Sequence, residues 1–215
     1  MVKAKNITLP GRTALPRMTY EEFLDWADED TLAEWVDGKV EMMSPASARH
    51  QDLALFLGRL LGEYAEERGA GKALIAPFQM KLDSIRRGRE PDLIFITEEH
   101  LPRLQTNLLD GPADLAIEII SPESVVRDRG VKFIEYEAGG VREYWTLDPE
   151  ARRADFFVLD AEGRYGRTAP DAEGRYESAV LPGFWINIGW LWQTPLPPVR
   201  QVRREWEIRC AGIGG

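Results

Sequence analysis

The chain has 215 residues and a formal net charge of −9, from 27 Lys and Arg against 36 Asp and Glu. This acidity argues against a protein held to nucleic acid or membrane by bulk charge alone, but it leaves room for a local basic groove. A single cysteine excludes an intramolecular disulfide framework and a Cys-rich zinc site, and two histidines disfavour a His-rich metal site. The sequence has no apolar run long enough to span a membrane and no hydrophobic signal core, so we expect a cytoplasmic protein without a membrane partner.

The N-terminal part predicts a tail, a helix, a hairpin and a second helix. Residues 1–17 carry four basic residues and no acid, together with Pro and Gly, which is typical of a flexible basic tail. The capping box Thr19-Tyr20-Glu21-Glu22 predicts the start of a short helix. Asp37-Gly38 predicts the tight turn of a β-hairpin. Ser47 caps a predicted longer helix, in which apolar residues recur at three- and four-residue steps.

The middle of the chain predicts a strand, a polar loop and two buried strands, over residues 73–82, 83–90, 91–97 and 114–120. A helix over residues 124–138 and a strand over residues 141–147 follow. Strand, helix and strand at this spacing form a βαβ unit, so we expect its two strands to be parallel.

The C-terminal part predicts mainly β-structure. The hexapeptide Asp-Ala-Glu-Gly-Arg-Tyr occurs at residues 160–165 and again at 171–176, which we interpret as two turns of a peripheral β-meander. A terminal strand or helix is expected near residues 202–208.

Glu118 is an acid on an otherwise apolar strand. Period-two alternation places it on one face with Ala116 and Ile120. Burial of an unpaired carboxylate is costly, so Glu118 needs a cation, a hydrogen-bond donor or a metal as its partner. The alternative is an acid at the strand end whose carboxylate accepts hydrogen bonds from loop amides.

Asp92 is a second acid, at the start of the preceding buried strand. Because it follows Pro91, it is either a turn element or a partner of Glu118. Two carboxylates on adjacent buried strands suit Mg²⁺ or Mn²⁺, which prefer oxygen ligands and retain bound waters.

Lys132 shares one helix face with Asp128 and Tyr136, at spacings of i, i+4 and i+8. A solvated, salt-bridged surface is one interpretation of this face. The other is that the helix packs back on its sheet, which would bring Lys132 to a site beside Glu118.

Several short motifs resemble, in order, those of the Uma-type family of bacterial endonucleases. They are Glu34-Trp35-Val36-Asp37-Gly38, Met43-Ser44-Pro45, Arg49-His50, Glu90-Pro91-Asp92-Leu93, Ala116-Ile117-Glu118-Ile119-Ile120-Ser121-Pro122, Asp128 through Lys132 to Tyr136, Gly140-Val141-Arg142-Glu143-Tyr144-Trp145, Asp148-Pro149 and Leu181-Pro182-Gly183-Phe184. The resemblance covers about residues 18–192, with residues 193–215 as a C-terminal extension. It implies an α/β fold of the PD-(D/E)XK superfamily: a restriction-endonuclease-like core with a mixed central sheet flanked by helices, and a β-rich C-terminal extension.

The resemblance implies a metal site for Mg²⁺ or Mn²⁺. Asp92 and Glu118 correspond to the metal-binding acids, and the carbonyl of Ile119 would be a further ligand. The usual motif has a lysine two residues after the acid, where this chain has Ile120. The resemblance therefore suggests that Lys132 has taken over the role of that lysine.

Three further residues correspond to positions in or near the family's site. Glu34 is either an acid that joins the site or a surface acid before a turn. His50 either lines the cleft or is a helix-end or core residue. Tyr136 would position Lys132.

Arg86, Arg87 and Arg89 form the densest short basic cluster. They are candidates for contacts to phosphates that flank the cut, and the alternative is a solvated loop between strands.

The implied activity is metal-assisted hydrolysis of phosphodiester bonds in nucleic acid, with DNA as the expected substrate. One alternative is a non-catalytic binding or assembly domain that keeps the fold. Another is a metal-dependent enzyme that acts on a different phosphate ester. A homodimer or higher homo-oligomer is also expected, in which the Trp- and Pro-rich residues 184–206 either supply the interface or complete the core of the monomer.

Overall fold

The computed structural model describes residues 17–28, 31–43, 45–121, 124 and 127–212, with side chains described up to residue 206. The predicted basic tail lies outside these residues except for Arg17, whose guanidinium donates to the carbonyl of Asp37. The helices are α1 (Tyr20–Trp26), α2 (Ala48–Arg68), α3 (Lys132–Gly139) and α4 (Val199–Gly212). The strands are β1 (Ala33–Val36), β2 (Lys39–Met42), β3 (Gly71–Ile75), β4 (Gln79–Leu82), β5 (Arg87–Arg89), β6 (Leu93–Thr97), β7 (Leu108–Asp110), β8 (Leu115–Ile119), β9 (Glu143–Asp148), β10 (Arg153–Leu159), β11 (Tyr165–Thr168), β12 (Arg175–Glu177) and β13 (Trp185–Asn187).

A six-stranded mixed sheet forms the centre, with strand order β11-β10-β9-β8-β6-β3. Strands β8 and β9 are parallel and are connected through α3, which confirms the predicted parallel strands of the βαβ unit. The antiparallel pairing of β6 with β8 places Leu93 opposite Ile117. This register brings the start of β6, next to Asp92, close to the end of β8, where Glu118 lies.

A second sheet has the strand order β2-β1-β5-β4-β7. The predicted hairpin joins β1 to β2, and its turn residues Asp37 and Gly38 have φ angles of 48° and 84°. These left-handed angles explain the Asp-Gly pair, because Gly adopts them without steric cost and Asp tolerates them better than most residues. The sheet also carries Glu34 on β1 and Arg89 at the end of β5.

Several local predictions are wrong. The single strand expected over residues 73–82 is two strands, β3 and β4, which belong to different sheets. The polar loop expected over residues 83–90 contains a short 3-10 turn and the strand β5. The segment Arg127–Val131, expected to be α-helical, forms a π-helical turn before α3.

The terminal segment, expected to be a strand or a helix, is the helix α4.

The main hydrophobic core lies between α2 and the central sheet. The apolar face of α2, including Leu53, Leu57 and Leu60, is fully buried there. Phe184 and Trp190 of the Trp-rich segment join this same core. Their burial favours the interpretation that the segment completes the monomer. In the described part of the chain, no helix combines the length and the apolar composition that a membrane span requires.

Candidate active site

A cleft of about 460 Å³ opens beside the start of α2 and the end of β8. Its lining includes His50, Asp92, Glu118, Ile119 and Asp128. Two sequence motifs that lie far apart in the chain therefore meet at one concave surface. For the role that we propose for it below, we refer to this opening as the catalytic cleft.

Asp92 is held in place by the neighbouring strand. Its Oδ2 accepts a hydrogen bond of 2.6 Å from the backbone N–H of Ile119, and His50 Nε2 lies 3.1 Å from the same oxygen. The carboxylate is partly exposed and lines the catalytic cleft. Asp92 is thus a fixed carboxylate with one oxygen, Oδ1, that accepts no hydrogen bond from a described residue.

Glu118 is buried at the end of β8, and its Oε1 is held by two donors. Lys132 Nζ donates over 2.8 Å and Tyr136 Oη donates over 2.7 Å. The pKa of Glu118 is raised to about 8, mainly by burial; the charge of Lys132 opposes this rise, and the charges of Asp128 and Asp92 add to it. The surroundings of Glu118 are therefore rich in negative charge, which favours a cation beside it.

Lys132 is fully buried and held by three carboxylates. Its Nζ lies 2.8 Å from Glu118, 3.0 Å from Glu34 and 3.7 Å from Asp128. Burial alone would lower the pKa of Lys132, but these carboxylates outweigh it and raise the pKa above its usual value. Lys132 is therefore a fixed ammonium group, and its helix face packs on the sheet instead of facing solvent.

Glu34 is fully buried and is not the surface acid of the alternative interpretation. Its Oε2 accepts a hydrogen bond of 2.7 Å from Arg89, and its Oε1 lies 3.0 Å from Lys132 Nζ. Burial alone would raise the pKa of Glu34, but Lys132 and Arg89 outweigh it and lower the pKa to about 2. Glu34 thus forms a buried ion pair with Lys132 and does not line the catalytic cleft.

The basic cluster divides into three different environments. The prediction that Arg89 contacts phosphate is wrong, because its side chain is 1% exposed and is paired with Glu34 and Glu135. Arg87 is also paired with Glu135 and is largely buried. Arg86 alone of the three has a mainly exposed side chain, so the phosphate prediction is retained only for this residue.

Arg127 is a cleft residue that the sequence pattern did not single out. Its Nε donates to Asp128 over 3.3 Å, and its side chain is partly exposed. It lies in the π-helical turn, which no local sequence pattern predicts. Arg49 also lines the cleft, and its guanidinium donates to the carbonyls of Leu191 and Gln193. Its position in the Arg49-His50 motif was the only pointer to it.

The carboxylate oxygens at the catalytic cleft suit a hard divalent cation as metal ligands. Glu118 Oε2, like Asp92 Oδ1, accepts no hydrogen bond from a described residue. Within the described ranges, no cluster of three or more His, Cys, Asp or Glu side chains has an arrangement suited to a metal ion. Two carboxylates still suffice for Mg²⁺, which keeps several of its waters and binds proteins through one or two carboxylates.

A mixed sheet flanked by helices, a β-rich C-terminal part, and acids gathered around a buried lysine together define a restriction-endonuclease-like protein. The chain belongs to the family described as "Uma2: Putative restriction endonuclease", whose model matches residues 20–189. This confirms the family resemblance found in the motifs.

The solved structure of "a putative nuclease belonging to DUF820 from Anabaena variabilis ATCC 29413" is similar to this chain with a TM-score of 0.67. The two share 17% sequence identity, and the match covers 81% of this chain and 97% of that one. At this identity the likeness shows the fold, and it confirms the expected fold class. A search among curated proteins found no match.

Proposed function

We propose that the protein is a metal-dependent endonuclease that hydrolyses phosphodiester bonds of DNA. The observation that carries the proposal is the shared cleft of Asp92 and Glu118, in which each carboxylate keeps an oxygen without a described donor. Membership of a family described as restriction endonucleases supports a nuclease function in general. Metal dependence and the choice of DNA are our inferences.

Asp92 and Glu118 would hold the cation, with the carbonyl of Ile119 as a further ligand. When bound, Mg²⁺ or Mn²⁺ would supply Lewis-acid chemistry, making water a better nucleophile and neutralising charge that develops on the phosphate. Asp92 needs little reorganisation for this role, because the backbone of Ile119 and the ring of His50 already orient it.

Lys132 acts as a fixed positive charge. Three carboxylates within 4 Å hold its ammonium group, so a proton on Nζ is strongly favoured. We therefore assign it electrostatic stabilisation and the orientation of Glu118, and not the abstraction of a proton from water. Tyr136 supports the same arrangement through its hydrogen bond to Glu118.

Local positive charge must bind the substrate, because the chain as a whole is acidic. Arg49 and Arg127 line the catalytic cleft, and the exposed Arg86 is a further candidate for a phosphate contact. We expect weak non-specific affinity for DNA that falls steeply with salt concentration.

One observation favours a second function, a binding or assembly domain without catalysis. Lys132 is fully buried and does not line the cleft, so it lies behind Glu118 and not on the surface that a substrate would touch. A domain that keeps the fold but has lost hydrolysis would tolerate this arrangement.

A cleavage assay separates these functions. Double-stranded, single-stranded and branched DNA and RNA are incubated with the protein and Mg²⁺ or Mn²⁺, or with EDTA. We expect cation-dependent cleavage of DNA, with the rate lowered about 100-fold or more in Asp92→Asn and Glu118→Gln. Glu99→Gln, which makes the same change of charge at an exposed acid, is the matched control and should keep the wild-type rate.

Three outcomes would contradict the proposal. Cleavage that persists in EDTA would exclude the metal dependence. Undiminished cleavage by both carboxylate variants would exclude the site. Tight DNA binding without cleavage of any substrate, by a folded wild-type protein, would favour the binding domain.

A further inference from the structure

A second cavity of about 440 Å³ lies beside α1 and shares no lining residue with the catalytic cleft. Phe23 of α1 and Phe78, which precedes β4, contribute apolar walls. Glu90 and Gln79 are buried residues in its lining, whereas Asn107 lies at the exposed rim. We refer to this opening as the α1 cavity. The proposed nuclease function gives it no role.

Glu90 is the buried acidic residue of this cavity. Its side chain lines the cavity although the residue is only 9% exposed. Its Oε1 accepts a hydrogen bond of 2.8 Å from Gln79 Nε2, and no described residue donates to its Oε2. This oxygen has no donor among the described residues, so a ligand that donates to it would take the place of water.

Gln79 cannot supply that donor. Its Nε2 carries two N–H groups, and these donate to Glu90 Oε1 and to the carbonyl of Ala33, over 2.8 and 3.0 Å. Both donors of the amide are used, so Gln79 fixes Glu90 in place and offers no further hydrogen to the cavity.

The charge of the α1 cavity has one sign. Asp28 and Glu90 are acidic, and no Lys, Arg or His is among its described lining residues. A ligand with hydrogen-bond donors suits these acids, and a positive charge on the donor suits them best. The rings of Phe23 and Phe78 suit the same ligand, because aromatic walls favour organic cations and apolar groups alike.

We propose that the α1 cavity binds an organic cation, a protonated amine with an apolar body. Its ammonium group would donate to Glu90 Oε2, and its apolar part would pack between Phe23 and Phe78. The proposal concerns binding alone and does not depend on the nuclease activity.

The test uses benzylamine as the probe and benzyl alcohol as its uncharged counterpart, titrated by calorimetry into the full chain at about pH 8. We expect benzylamine to bind at least about tenfold more tightly than the alcohol, a difference of about 1.4 kcal/mol. Glu90→Gln should reduce the affinity for benzylamine by a similar factor while leaving the weak binding of the alcohol unchanged. Phe78→Ala should weaken both ligands.

Two controls locate the site. Glu99→Gln removes an exposed carboxylate elsewhere and should bind benzylamine like the wild type. Asp92→Asn should also bind it normally, because Asp92 lines only the catalytic cleft. Equal affinity of the wild type for the amine and the alcohol would overturn the proposal, even if Glu90→Gln failed to fold. Loss of amine binding in a folded Asp92→Asn protein would also overturn it, because the probe would then occupy the catalytic cleft.

Discussion

The ammonium group of Lys132 lies 3.0 Å from the carboxylate of Glu34, and both side chains are fully buried. The two residues come from different layers, since Lys132 begins α3 beside the central sheet and Glu34 lies on β1 of the second sheet. Arg89 continues this alternation of charge on the far side of Glu34. Buried ion pairs beside the catalytic cleft thus connect the two sheets.

Lys132→Met tests how much these buried ion pairs stabilise the fold. Methionine keeps much of the volume of lysine but leaves the buried carboxylates of Glu34 and Glu118 without their shared cation. We expect the free energy of unfolding to fall by about 3–5 kcal/mol, as is typical when one partner of a buried pair is removed. Urea denaturation followed by circular dichroism measures the change, and Lys72→Met, at an exposed position, is the matched control.

The double variant Glu34→Gln with Lys132→Met separates charge from packing. Because the neutral amide no longer needs the cation, the double variant should lose less stability than the sum of the two single variants. Strict additivity of the two losses would contradict a direct interaction between these residues.

Arg86 and Arg89 should behave in opposite ways. Arg86→Gln removes an exposed cation whose ion pair with Asp37 is also exposed, so stability should change by less than about 0.5 kcal/mol. If Arg86 contacts phosphate, its loss should weaken DNA binding and reduce the salt dependence by about one charge. Binding is measured by fluorescence anisotropy at several salt concentrations, and an unchanged affinity and slope would remove Arg86 from the interface.

Arg89→Gln should instead destabilise the fold. Its guanidinium is buried between Glu34 and Glu135, so the variant leaves two carboxylates without their cation. We expect a loss of about 3–5 kcal/mol in the free energy of unfolding. A stable Arg89→Gln protein would contradict the structural role assigned to this residue.

The proximity of Lys132 to Glu118 could be predicted from sequence because one βαβ unit contains both. The strand places Glu118 at its end, and the following helix packs against the same sheet. Periodicity and chain connectivity are local rules, and they were sufficient here. The Asp-Gly hairpin was predictable for the same reason, since its turn conformation depends on two adjacent residues.

The burial of Glu34 and Arg89 could not be predicted in this way. Their environment depends on β1 pairing with β5, a contact between distant segments that no local pattern specifies. Arg-Gly-Arg is typical of a solvated loop, and only the carboxylates of Glu34 and Glu135 make its burial favourable. A charged sequence is therefore a poor guide to exposure where opposite charges converge from separate elements.

Glu143 should be important for stability although it lies outside the catalytic cleft. It is fully buried, and its carboxylate accepts hydrogen bonds from Trp145 Nε1, Tyr176 Oη, Ser178 Oγ and the N–H of Val180, at 2.6, 2.8, 2.7 and 3.0 Å. The last three of these bonds connect the C-terminal β-structure to the central sheet, whereas Trp145 lies on the same strand, β9, as Glu143.

Glu143→Gln would place an N–H₂ group where two donors already point. We expect the free energy of unfolding to fall by about 1–3 kcal/mol, the cost of leaving a buried donor without an acceptor. Chemical denaturation measures this, with Glu162→Gln at an exposed turn as the control. A loss no larger than that of the control would show that these four bonds contribute little.

Asp114 should make stability depend on pH in the acid range. Burial alone would raise its pKa, but hydrogen bonds from the N–H and the hydroxyl of Thr97, at 2.7 and 2.8 Å, and from Arg142 and His100 outweigh it and lower the pKa. A carboxyl with a depressed pKa in the folded state contributes stability that is fully present above its unfolded value of about 3.9. That contribution is lost as the pH falls through the folded-state pKa.

Asp114→Asn should therefore be less stable than the wild type at pH 7, by about 1.5–3 kcal/mol for the loss of charge-assisted hydrogen bonds. The difference should shrink once the pH falls below about 4, because the wild-type carboxyl is then increasingly protonated when the chain unfolds. Urea denaturation of both proteins at a series of pH values between neutrality and the acid limit of folding measures the difference. A difference that stays constant or grows toward low pH would contradict a lowered pKa, because only a group that binds its proton more weakly in the folded protein loses its contribution on acidification.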